Sequence, residues 1–118
     1  MNHEDFKING INCYMDRQEA EDHKADIERI VAEITDRLKG TNLKEVSFCD
    51  VSGNTIQVNL IHKDVPCYAF LHVELNRTWD NIDDLIEEAV TEFKKYDNEK
   101  HVKSYKEFLS DGEKYGWD

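Results

Sequence analysis

Residues 43–76 read LKEVSFCDVSGNTIQVNLIHKDVPCYAFLHVELN, and their patterning decides the fold class. Three runs carry strand signals: about Leu43 to Asp50, Thr55 to His62 and Cys67 to Asn76. In the middle run Ile56, Val58 and Leu60 alternate with Gln57 and Asn59, the period of a half-buried strand. Ser52-Gly53-Asn54 and Lys63-Asp64-Val65-Pro66 supply turns between the runs. Connections this short make neighbouring strands antiparallel.

Helical spacing flanks the strands on both sides. Upstream, Ile27, Ile30, Val31, Ile34 and Leu38 form one apolar stripe and predict a helix over 16–39. Asp16 suits its N-cap, Glu19 the capping-box partner and Gly40 its C-terminal stop. Downstream, Ile82, Leu85, Ile86, Ala89, Val90 and Phe93 predict a helix over 79–96, capped by Thr78 or Asp80. A shorter helix is expected over about 100–109, with Val102, Tyr105, Phe108 and Leu109 on its apolar side and Gly112 ending it. At the other end, 6–15 (FKINGINCYM) alternates as a strand; Asn9-Gly10 there signals either a tight hairpin or a glycine irregularity in a single strand. The tail over 110–118, with Tyr115 and Trp117, is either docked by its aromatics or frayed.

The expected order is therefore β-α-β-β-β-α-α in a single domain over 1–118. The expected architecture is an α+β two-layer sandwich: a mostly antiparallel sheet of three to four strands packed by two amphipathic helices. The middle stretch, α-β-β-β-α, resembles the layout of double-stranded RNA-binding domains. Those domains bind through basic residues at the second helix, whereas this one carries Asp80, Asp83, Asp84, Glu87, Glu88 and Glu92. The resemblance is one of element order and implies no RNA binding.

Charge narrows the function classes. Fifteen Lys and Arg stand against 26 Asp and Glu, a net charge of −11. Such a field repels nucleic acid and anionic lipid, so neither direct nucleic-acid binding nor membrane binding is expected. The longest apolar stretch, Cys67 to Leu71, is far too short to span a bilayer, and Met1-Asn2-His3-Glu4-Asp5 has no signal-peptide character. Three widely spaced cysteines, Cys13, Cys49 and Cys67, point to reduced thiols, and a cytoplasmic setting is expected. The excess charge sits on the helices. The stretch 41–77 has four acids and three bases, 16–40 has eight and five, and 78–96 has six and two.

Within 78–96, Asp80, Asp84, Glu88 and Glu92 recur every four residues, which places them on one helical face about 6 Å apart. Like charges at that spacing oppose the helix, and past the first turn the helix dipole no longer compensates. Such a stripe is either a solvated outer face or an anionic docking surface. Duplex DNA carries a charge about every 1.7 Å of axis, so the stripe alone is too sparse to imitate it. In size and charge the chain is similar to small acidic phage and mobile-element proteins that block CRISPR or restriction enzymes. A second candidate surface is the aromatic side of the last strand, Tyr68, Phe70 and His72, which either lies under the third helix or the tail or forms an interface.

Chemistry is sparse. His62, Cys67, His72 and Cys49 lack the paired spacing of a zinc site. Cys67 alternates in phase with Ala69, Leu71, Val73 and Leu75 as a core residue. Asp50 is followed by Gln57-Val58-Asn59 where a PD-(D/E)xK nuclease needs an acid and a lysine. No phosphate-binding glycine motif is present. The expectation is a non-enzymatic protein without cofactor or metal that binds a basic protein surface or a nucleic-acid-binding protein. The alternative is a small homo-oligomeric accessory protein, such as a homodimer, pairing through Tyr68, Phe70 and a strand edge.

Overall fold

The structure, a computed structural model, describes residues 3–50, 53–65 and 70–114; for 3–6, 105 and 108–114 it describes the backbone alone. The opening stretch resolves as a hairpin, β1 (His3–Ile8) and β2 (Ile11–Asp16), paired from His3↔Asp16 to Ile8↔Ile11. Asn9 and Gly10 both take positive φ, 49° and 85°. That is the signature of a type I′ turn, whose twist matches that of the flanking strands. The strands extend beyond the 6–15 window because the turn, rather than the apolar pattern, sets the register.

The expected helix over 16–39 is two helices, α1 (Arg17–Asp22) and α2 (Lys24–Arg37), broken at His23. Asp16 is the N-cap and accepts the Glu19 N–H at 3.3 Å. The return arm of the capping box is replaced, because the Glu19 carboxylate is held by Arg77 and Trp79 instead. Ile27, Ile30, Ile34 and Leu38 are buried as the stripe requires, and Val31 packs against them.

Three strands follow, β3 (Leu43–Cys49), β4 (Thr55–His62) and β5 (Leu71–Asn76), then α3 (Ile82–Tyr96) and α4 (Glu99–Lys114). The sheet has five strands in the order β1-β2-β3-β4-β5. It is mixed: β2 and β3 run parallel, with Cys13↔Phe48 and Tyr14↔Cys49 in register. The α+β class and the mostly antiparallel sheet hold, since three of the four pairings are antiparallel; the fifth strand and this parallel pair were not expected. A long α1–α2 crossover returns the chain in the same direction, whereas a short turn reverses it.

α3 begins three residues later than its periodicity suggests. Trp79 takes φ +59°, a left-handed conformation uncommon for a bulky residue, and its N–H binds the Asn76 carbonyl at 2.7 Å. Asn81 is the N-cap, with its side chain turned back to Asn76 N and Glu74 O. α4 runs past Gly112 to Lys114 and so exceeds the expected 100–109 helix. The expectations for Cys67, Tyr68 and the aromatic tail from Tyr115 fall outside the described residues.

α1 and α2 pack on β1, β2 and β3, and α3 packs on β5 and α2. This makes one helical layer over one side of the sheet. Met15, Phe48, Ile56, Val58, Leu60, Val73 and Leu75 point into that layer and meet Ile27, Ile30, Ile34, Leu85, Ile86 and Phe93. Among the described residues no helix is long and apolar enough to cross a membrane.

Candidate functional site

The α2–α3 seam divides the acidic face of α3. Arg29 pairs with Asp83 and with Glu33, and Arg37 pairs with Glu87. The Arg37 guanidinium holds the Glu87 carboxyl below its usual range. Asp83 and Glu87 therefore stitch two helices together, and the six-acid surface read from the sequence is cut to a narrower strip. Asp80 lies ahead of the helix, where hydrogen bonds from the Asn76 and Thr78 side chains lower its carboxyl. Asp84 and Glu88, one turn apart, are exposed and have no ion pair among the described residues. Glu92 is half-buried. The remaining strip is Asp80, Asp84 and Glu88.

The aromatic strand face is placed differently from a surface patch. Phe70 precedes β5 and is 6% exposed, packed on His62, Phe93 and His101 with centroids 4.8, 5.7 and 5.9 Å away. α4 covers it through His101, one of the two placements the sequence left open. His72 is exposed on the other side of the sheet, so it shares no surface with Phe70, and Tyr68 falls outside the described residues.

His62 was a metal candidate in the sequence. It is 1% exposed on the covered side, opposite His72. Its Nδ1 accepts the Asp64 N–H at 3.0 Å, so Nε2 carries the proton and donates to Asp97 Oδ1 at 2.8 Å. Both ring nitrogens are thus occupied within the fold. Asp97 also accepts the backbone N–H and side-chain amide of Asn42, each at 3.0 Å. Burial raises the Asp97 carboxyl, but these three donors together outweigh it and hold it below its ordinary value. The pair lines a cleft of about 340 Å³ with Lys103 and Lys106 of α4. Among the described residues no three His, Cys, Asp or Glu side chains converge as metal ligands.

The two described cysteines, Cys13 and Cys49, are weak nucleophiles. Burial pushes Cys13 up to about 11, against a backbone hydrogen bond from Ile8 that lowers it. Burial and then the Asp50 charge raise Cys49. Asp50 itself, the acid of the nuclease comparison, binds Arg77 at 2.6 Å, and Arg77 also binds Glu19 at 2.6 Å. Glu19 further accepts from Trp79 Nε1 at 3.2 Å, and Trp79 stacks flat on His23 at 4.1 Å. This group clasps α1 to the loop ahead of α3.

Sequence reasoning missed the uncovered side of the sheet. Register sets Lys7 opposite Asn12, Ser47 opposite Asn59 and Asn59 opposite His72. Asn12 and Ser47 immediately precede the Cys13↔Phe48 pair, so one polar row crosses all five strands. Tyr14 lies beside Cys49 in the next row and is 45% exposed, the one large apolar side chain so exposed among the described residues. Lys7, Asn12, Tyr14, Ser47, Cys49 and Asn59 line a concavity of about 710 Å³ with Glu45 and Ile61. Asn59, on its β4 border, is 2% exposed, and its Oδ1 has no hydrogen-bond partner among the described residues. A buried orphan of this kind costs about 1–3 kcal/mol. The signal was present in the sequence as the Asn59 interruption of an otherwise apolar Val58–Ile61 run.

Comparison with protein-family models, with curated proteins and with solved structures finds no match to this chain.

Proposed function

We propose that this chain is a non-enzymatic, acidic protein-interaction domain that acts in the cytoplasm. It binds a basic protein surface, and takes the form of an inhibitor when that surface is the cleft of a nucleic-acid-binding protein. The observation that carries the reading is the strip Asp80, Asp84 and Glu88. Among the described residues none of the three is in an ion pair, whereas arginines neutralise the neighbouring Asp83 and Glu87. Like charges one turn apart work against α3 and add nothing to its packing, so a partner cation is the natural counterpart. The field of a chain carrying −11 would speed encounter with that partner and make it salt-sensitive. The thiols Cys13 and Cys49 are free, which suits a reducing compartment. The homo-oligomeric alternative draws on Tyr68, Phe70 and a strand edge, and of these Phe70 is buried.

The test compares two double variants of equal charge change, using poly-L-lysine as the basic probe in low salt. Asp84→Lys with Glu88→Lys is expected to weaken binding about tenfold more, roughly 1.4 kcal/mol, than Glu21→Lys with Asp22→Lys on exposed α1. Equal loss in the two variants would reduce the strip to bulk charge and end the reading.

A further inference from the structure

We infer that the concavity on the uncovered side of the sheet seats an arginine side chain of the basic partner, with Asn59 as the buried anchor. The inference rests on the reading of this chain as a binder of a basic surface. It places a second contact on the side of the sheet away from α3.

The lining selects the occupant. Asn59 Oδ1 is a buried acceptor to which no described residue donates. Ser47, directly opposite on β3, offers a hydroxyl. Glu45, two pairs further along and so on the same face, offers a carboxylate whose Oε2 is held in place by Asn12 Nδ2 at 3.0 Å. An anion would meet the Glu45 charge, and an acceptor-only group would leave Asn59 Oδ1 unpaired. A guanidinium carries five N–H donors in a planar fork, no acceptor and a weakly held hydration shell. It can meet an amide oxygen and a carboxylate together, which the single point charge of a lysine does less well. The exposed ring of Tyr14 walls the other end and suits the flat cation or its stem. Lys7, exposed across from Asn12 on the edge strand, places the competing positive charge at the β1 side, so the guanidinium head belongs between β3 and β4.

Nitrogen-15 NMR of the full chain, titrated with Nα-acetyl-arginine methylamide and separately with the lysine counterpart, tests this. The arginine probe is expected to shift the Asn59 side-chain amide and the Ser47 and Glu45 backbone amides saturably, and to bind at least about fivefold more tightly than the lysine probe. Asn59→Leu and Glu45→Gln should each weaken it about fivefold or more. Circular dichroism checks that Asn59→Leu folds; should it not, Glu45→Gln on the surface decides alone. Equal shifts with both probes, shifts confined to α3, or wild-type binding by the decisive variant would overturn the seat. Asp84→Lys with Glu88→Lys should leave the arginine shifts unchanged. Thus a failed α3 strip and a failed concavity give different results.

Discussion

The two sides of the sheet are built from the same strands and obey opposite rules. On β2, Met15 is fully buried under the helices, while its neighbour Tyr14 is 45% exposed on the other side. On β4, Ile56, Val58 and Leu60 are sealed into the core, while Asn59 between them is buried with no partner for its side-chain carbonyl among the described residues. The covered side is consistent at every level: apolar phase, helix stripe and full burial agree. The uncovered side keeps a polar row and an orphan acceptor that no folding argument requires. The first side carries the packing that stabilises the fold, and the proposed arginine seat lies on the second.

The largest effect expected from this contrast is on the covered side. Met15→Ala removes a side chain with no exposed area and should cost about 2–5 kcal/mol in urea unfolding. A loss below about 1 kcal/mol would mean that the helical layer is loosely seated on β2, and the contrast would fail at its root.

A smaller effect is expected at the rim, where a polar pair sits on the covered side. Asp97→Asn should cost about 2 kcal/mol at neutral pH, because it weakens three hydrogen bonds to a carboxylate. The Asp97 carboxyl is held below the ordinary 3.8, so its contribution is complete above that value and is lost as pH falls through the lower, folded one. Urea midpoints of wild type and Asp97→Asn should therefore draw together as pH falls from neutral to below 3.8. A constant gap across that range would show that Asp97 stays unlinked to protonation.

Much of the covered side was readable from residue spacing alone. Ile27, Ile30, Ile34, Ile82, Leu85, Ile86 and Phe93 are buried where helical periodicity placed them, and Asp16 caps where it should. The break at His23, the left-handed Trp79 and the parallel β2–β3 pair were not readable. Each depends on partners distant in sequence, such as Arg77 reaching Glu19 or Phe48 reaching Cys13. The acidic strip was visible as a repeat, but its division was not. Nothing local to 78–96 says that Arg29 and Arg37 lie across from Asp83 and Glu87. The polar row was hidden for the same reason, since register across five strands assembles it from single residues.

The smallest effect expected is at Tyr14, one residue from the position of the largest. Tyr14 keeps nearly half its area in solvent, so removing its ring uncovers no core and opens no cavity. Tyr14→Ser should change unfolding stability by no more than about 0.5 kcal/mol, the range of an ordinary surface substitution. The neighbouring Met15→Ala then serves as an internal scale on the same strand, free of differences in strand propensity between elements. A loss at Tyr14 approaching that at Met15 would mean that the ring holds the sheet together from outside. The uncovered side would then be a second core in place of a surface kept for a partner.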